Sequence, residues 1–230
     1  MNQIVTKGIV LRRVSYQEAD RILTVLTPDY GKVTLIAKGA RRSKSKLAGG
    51  IELFSVSDIT YIKGRKDIGT LISSRLAQHF PVITADLDRT MIGYDMIKRI
   101  NKIVEEGSEE DHFQILQFGL VGLNDPDLYQ SIAELWFALH LLQLTGHQPD
   151  FQQDINDEEL DEALIYNFDF DRMRFVAHSS GSYSADHIKL LRFMSHLNSP
   201  QKLSKLAVKE SISDHCNKLV KQMVEHNLQV

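Results

Sequence analysis

The hydrophobic period changes from 2 to 3.6 residues at Phe80-Pro81, and this switch constrains the chain more than any other feature. Before it, strand-like runs recur at short spacing: Ile4–Arg13, Arg21–Thr27, Lys32–Lys38, Ile51–Ile62 and Thr70–Phe80. Turn-forming residues separate them at 27–31, 39–50 and 63–69. Five short strands with no long helix between them predict a small closed barrel. Strand count and length match the five-stranded oligonucleotide-binding (OB) type.

Beyond Pro81 the spacing predicts helices over 85–106, with Leu87, Met91, Tyr94, Ile97, Ile100 and Val104 on one stripe, and over 108–123, opened by capping-box spacing at 108–111. A third is predicted from the Asp125-Pro126 start to Gly146. Ile165–Phe170 and Met173–Ala177 read as a short hairpin. Ser184 reads as a helix cap, and a last helix runs over 209–226. The acidic run 154–162 lacks the glycine and ordered spacing of a calcium loop and reads as a solvated helix. The predicted class is α+β: an N-terminal five-stranded OB-type β-barrel over 1–80, then an α-helical domain over 81–230 with a small β-hairpin insertion at 147–184.

Charge divides at the same place. The formal net charge is -3, yet residues 1–80 carry 14 Lys/Arg against 6 Asp/Glu, and residues 81–230 carry 13 against 24. A basic module that meets a polyanion, joined to an acidic module with another task, accounts for such an asymmetry. The densest positive run is Lys38-Gly39-Ala40-Arg41-Arg42-Ser43-Lys44-Ser45-Lys46, between two predicted strands. Its like charges repel unless a polyanion lies against them, which points to nucleic-acid phosphates. The same composition also fits a solvated surface loop. Its Gly and Ser residues predict mobility until a ligand binds.

Further cations follow the barrel pattern: Arg12 and Arg13 at the end of the first strand, Arg21 at the start of the second, and Lys63, Arg65 and Lys66 in the turn before the last. Tyr16 and Tyr30 sit in polar turns and are candidate stacking platforms. Phe54 reads as core, and Tyr61 fits either role.

Catalytic patterns are missing. There is no phosphate-binding glycine loop, no H-E-x-x-H and no G-x-S-x-G, and the nine histidines form no recognisable ligand set. Cys216 is the single cysteine, on the inward face of the last helix, so neither a disulfide framework nor a thiolate metal site is expected. A reducing cytoplasm is the expected setting. No run of 18 apolar residues occurs, and neither secretion nor membrane insertion is expected.

Gly8-Ile9-Val10-Leu11-Arg12, Tyr16-Gln17-Glu18-Ala19-Asp20-Arg21, Thr27-Pro28-Asp29-Tyr30-Gly31-Lys32 and Ala37-Lys38-Gly39-Ala40-Arg41-Arg42-Ser43-Lys44-Ser45, in this order, resemble the bacterial recombination mediator RecO family. The resemblance covers the first 75 or so residues in sequence and the remainder in layout. It implies an OB barrel, a helical domain, binding to single- and double-stranded DNA, and annealing of complementary strands. It also implies partnership with RecR, contact with the C-terminal tail of single-stranded DNA-binding protein, and help in loading RecA. Many such chains carry a four-cysteine zinc module after the segment matching Gly146–Asp150. This chain has no cysteine there, so zinc is not expected, and the 165–177 hairpin stands where that module would be.

The sequence is therefore read as a non-enzymatic, nucleoid-associated DNA-binding protein of recombinational repair, without cofactor or membrane. Its DNA contacts are expected from Arg12, Arg13, Tyr16, Arg21, Tyr30, Lys38, Arg41, Arg42, Lys44, Lys46, Lys63, Arg65 and Lys66. The alternative is a protein-interaction scaffold whose basic OB module steers RNA or DNA.

Overall fold

A computed structural model describes residues 3–64, 68–104, 110–200 and 208–228. The chain divides into two compact units, Met1–Leu120 and Val121–Val230.

The first unit is organised by β1 (Gln3–Tyr16), 14 residues long. Its first half pairs antiparallel with β4 (Ser55–Ile62) and its second half with β2 (Asp20–Thr27). An irregularity between Val10 and Arg12 marks the passage from one partner to the other. A bulge there bends the strand, which lets a single strand serve both sides of a closed sheet. β3 (Gly31–Ala37) pairs with β2, and β5 (Ile68–His79) runs parallel to β3 and antiparallel to β4. The barrel closes in the order β1-β2-β3-β5-β4, an OB-type barrel.

Alternation along these strands fills the interior with Val10, Leu23, Val25, Leu35, Ala37, Ile59, Tyr61 and Leu71, joined by Ala40 and Ile51 from the β3–β4 connection. Each large aliphatic side chain so buried contributes about 1.5–3 kcal/mol. The strand expected from Ile51 begins only at Ser55. Before it the chain makes a 3-10 turn at Ala48–Gly50, where Gly50 lies so close to β5 that a Cβ would stand 2.8 Å from the Ser74 carbonyl carbon. Only glycine fits that approach.

The helix expected over 85–106 is α2 (Leu87–Ile103), preceded by a separate short α1 (Pro81–Ala85) with the extended Asp86 between them; residues 105 and 106 lie outside the described residues. Asp86 caps α2 by accepting the Arg89 N–H at 2.9 Å. Ile97, Ile100 and Val104 are buried as expected, but Leu87, Met91 and Tyr94 are exposed, and Arg89, Gly93 and Met96 are buried. The cause is a close approach: a Cβ on Gly93 would lie 2.7 Å from the Phe54 ring, so α2 presents its glycine face to that ring. Tyr94 meets Phe54 edge to face at 5.0 Å. α3 (Glu110–Leu123) buries Phe113, Leu116, Leu120 and Leu123; residues 108 and 109 of its expected capping box lie outside the described residues.

In the second unit, α4 (Gln130–Leu144) starts later than the Asp125-Pro126 signal predicts. The Asp125 carboxylate accepts the Asp127 N–H and closes a separate turn, and the extended Tyr129 then resets the chain. α4 is buried almost all round instead of along one stripe, as a central helix must be. α5 (Ala185–His196) is opened by a capping box in which His187 takes the place usually held by Glu or Gln. α6 (Glu210–Leu228) packs on α4 through a polar seam: Asn217 donates to Glu134 at 2.7 Å, and Lys221 pairs with it at 2.8 Å.

A three-stranded sheet completes this unit. β7 (Tyr166–Asp169) and β8 (Arg174–Ala177) form the expected hairpin, and β6 (Asp150–Asp154), not anticipated, runs parallel to β8. Phe175 sits among the rings of Phe151, Tyr166, Phe168 and Tyr183 at 5.1–6.1 Å. The acidic run forms turns, not the expected helix, because the Asp154 carboxylate accepts the N–H groups of Asn156 and Glu158 and Asp157 takes a left-handed φ of 63°. Among the described residues no helix is long and apolar enough to cross a membrane.

Candidate nucleic-acid interface

The basic run is a tethered loop. Gly39 has a φ of 66°, and its N–H donates to the Asp20 carboxylate at 2.7 Å. Two residues on, the Arg41 N–H donates to the Ala19 carbonyl at 2.9 Å, so the loop is tied twice to the β1–β2 turn. The Arg42 N–H returns to the Gly39 carbonyl, and the Ser45 N–H to the Arg42 carbonyl. At the far end Leu47 packs on the barrel core, and its carbonyl accepts the Ser74 hydroxyl at 3.0 Å. The mobility expected from its Gly and Ser content is thus opposed by ties at both ends.

With the backbone held inward, the side chains face out. Ala40 is buried, whereas Lys38, Arg41, Arg42, Lys44 and Lys46 are all exposed, and none of the five ion-pairs with a described carboxylate. A row of unneutralised cations on a fixed backbone favours a polyanion.

Strand register brings further residues to the same end of the barrel. Tyr16 pairs with Asp20, Ser15 with Arg21, and Arg21 with Ala37, the residue before Lys38. Arg12 and Arg13 lie opposite Thr24 and Leu23. Side chains alternate across a strand, so Arg12, Val14 and Tyr16 leave from the outer face, whereas Arg13 and Arg21 share the side of the core residues Leu23 and Ala37. Arg12 and Tyr16 are exposed, and Arg13 and Arg21 half-buried. Arg13 is additionally ion-paired with Glu52.

The remaining candidates are more scattered. Tyr30 belongs to the β2–β3 turn at the opposite ends of those strands, exposed but edge-on to the buried Tyr61 at 6.4 Å. Burial, followed by the nearby Tyr30 and Asp29, pushes the Tyr61 phenol pKa upward, so this ring belongs to the core. Lys63 is exposed on the β4–β5 connection; Arg65 and Lys66 lie outside the described residues.

Three features of the site escape the sequence reading. Asp20 holds the loop, Glu52 occupies Arg13, and Val14, Ile22 and Ile36 form one row across β1, β2 and β3 on the barrel's outer face. The last has a sequence signal: isoleucines at outward positions of strands whose other face already fills the core. An apolar row beside a cationic loop suits bases on one side and phosphates on the other.

Among the described residues no three His, Cys, Asp or Glu side chains gather so as to hold a metal ion. Cys216 is fully buried, and desolvation pushes its thiol pKa up to about 12. His187 and His215 touch ring nitrogen to ring nitrogen at 3.2 Å, but His187 is engaged in capping α5.

Residues 1–80 match the family model described as recombination protein O N terminal, and residues 84–230 match recombination protein O C terminal. The chain is 33% identical over 152 residues to the DNA repair protein RecO of Dehalococcoides mccartyi, covering 66% of this chain and 59% of the relative. It is 31% identical over 146 residues to that of Syntrophus aciditrophicus, covering 63% and 56%. A longer match, 28% over 212 residues, covers 88% of this chain and 81% of the RecO of Halalkalibacterium halodurans. In the first two the match spans less than two thirds of the relative's own length. With both halves of the chain matched by its two models, the chain belongs to the recombination protein O family.

Proposed function

We propose that this chain is a non-enzymatic DNA-binding protein of recombinational DNA repair. The observation that carries the reading is the tethered loop: five exposed cations on a backbone tied to the β1–β2 turn of an OB-type barrel, beside Arg12, Tyr16 and Arg21. In this reading residues 1–80 form the DNA-binding domain and residues 81–230 the helical domain. The sugar-phosphate backbone lies on the loop and the β1 cations, with little sequence preference because phosphates carry no base information. Tyr16 stacks on a base of a single strand. Lys63, Arg65, Lys66 and Tyr30 extend the contact.

Annealing follows from the same charge. One cationic surface that screens two strands lowers their mutual repulsion and raises their encounter rate. A RecR-like partner, the tail of single-stranded DNA-binding protein and RecA would act with the chain in this role, in the nucleoid, and the family membership supports them.

The test is titration of a labelled single-stranded oligonucleotide at several salt concentrations. Neutralising about six phosphates gives a slope of log K against log salt of about -4. Reversing Arg41, Arg42, Lys44 and Lys46 to Glu abolishes binding and leaves the melting temperature nearly unchanged. A wild-type slope near zero, or full binding by the reversed variant, overturns the reading. Absence of saturable binding at physiological salt favours a protein-interaction scaffold instead.

A further inference from the structure

Asp20 presents a physical puzzle. It is an acid at the centre of the most basic region of the chain, next to Arg21 and beside the loop that carries Lys38, Arg41 and Arg42. By charge alone it weakens any contact with a polyanion. It forms no ion pair with a described cation. Its carboxylate instead accepts the backbone N–H of Gly39 at 2.7 Å, at the one loop residue with a left-handed φ.

We propose that Asp20 is the positioning residue of the DNA-binding loop: its bond to the Gly39 N–H fixes the backbone on which Lys38, Arg41 and Arg42 stand before DNA arrives. The inference rests on the DNA-binding reading above. A hydrogen bond to an ionised acceptor is among the stronger kinds, and this one works with its neighbour, the Arg41 N–H to the Ala19 carbonyl at 2.9 Å. Together they span Gly39 to Arg41, so the chain enters the cationic segment in one direction. Cations held in place lose less freedom on binding than cations on a loose loop, and that saving appears as affinity. Gly39 suits the arrangement because a left-handed backbone is open to it at no steric cost.

The two roles of Asp20 have opposite signs, which makes them separable. Removing the carboxylate tightens DNA binding if its charge dominates and weakens binding if its hydrogen bond dominates. D20A deletes both charge and acceptor. D20N deletes the charge and keeps an acceptor oxygen in the same place. E18Q removes a neighbouring exposed carboxylate of the same turn and calibrates the effect of charge alone.

The experiment measures oligonucleotide affinity of the full chain across a salt series for wild type and the three variants, with amide hydrogen exchange of Gly39 read alongside. The expected result is D20A binding about fivefold to tenfold more weakly, on a line parallel to wild type in log K against log salt, since organisation is lost and no phosphate contact is. D20N restores most of that affinity, E18Q binds as well as wild type or slightly better, and Gly39 exchanges slowly in wild type and fast in D20A. The proposal is overturned if D20A binds as tightly as wild type or tighter, if D20N is as weak as D20A, or if Gly39 of the wild type exchanges like a free amide. Should wild type itself fail to bind, the DNA-binding reading falls; if wild type binds and D20A matches it, only the role of Asp20 does.

Discussion

Arg13 of β1 is ion-paired with Glu52, a residue of the bend that carries the chain from the basic loop into β4. Both side chains are partly exposed, so the pair contributes no more than about 1 kcal/mol to stability and is easily exchanged for a phosphate. Replacing Glu52 by Gln releases Arg13 to DNA. Affinity should rise about twofold to fivefold at low salt, and the salt slope should steepen by about 0.7 on a single strand. An unchanged slope in the same titration would place Arg13 away from the DNA.

Tyr16 and Tyr30, both exposed, differ in what stands behind them. Tyr16 has no aromatic neighbour among the described ring contacts, whereas Tyr30 meets Tyr61 of the barrel core. Tyr16→Ala should cost about 1–3 kcal/mol of single-strand affinity and little stability. Tyr30→Ala should cost about 0.5–1.5 kcal/mol of stability, read by urea unfolding, with the smaller loss of affinity.

Acid should weaken the second unit through His187. Burial, and then the neighbouring His215, lower its pKa below the ordinary histidine value, against a smaller opposing effect of Asp186. A histidine with a lowered folded pKa binds its proton more readily unfolded, so stability is complete above about pH 6.5 and falls as pH drops from there through the folded value. The cause is structural: Nδ1 of His187 accepts the Ser184 N–H in the capping box, and a proton there removes the acceptor. His140, also lowered by burial, adds to the same trend. His187→Gln keeps the box without a titrating group. Its melting temperature should fall less than that of wild type between pH 7.5 and pH 5.5; equal falls would assign the acid sensitivity to other groups.

Cys216 should be silent in the native state. Its thiol is fully buried, its pKa is raised to about 12, and its hydrogen contacts the His187 carbonyl. A thiol reagent at pH 8 should label it only as fast as the protein unfolds, with complete reaction in denaturant. Rapid labelling without denaturant would show that α6 opens readily.

The barrel was legible because its signals are local. Alternation along 21–27 and 31–37, with turn residues between, can be met only by strands with one face inward. The cations of the loop were legible for the same reason, since five in nine residues is a property of the chain itself. The exposure of Leu87, Met91 and Tyr94 is not legible in sequence, because periodicity identifies an apolar face but not whether a glycine at 93 offers a closer approach on another. The acidic run departs from the expected helix because side-chain capping by Asp154 competes with helical hydrogen bonds and wins in this context.

The sequence by itself determined the α+β class, the five-stranded barrel, the concentration of positive charge in 1–80 and the membership in a family of matching order. Those follow from nearest-neighbour chemistry and from period, which are written along the chain. Only the tertiary structure decided that the basic loop is tied to Asp20 and Ala19, that Arg13 is occupied by Glu52, and that Tyr30 stands away from Tyr16. The ties and the ion pair join residues 19 to 39 positions apart in the chain, and the two tyrosines are parted by the length of β2; strand register and barrel closure set all of these, and no local pattern records them.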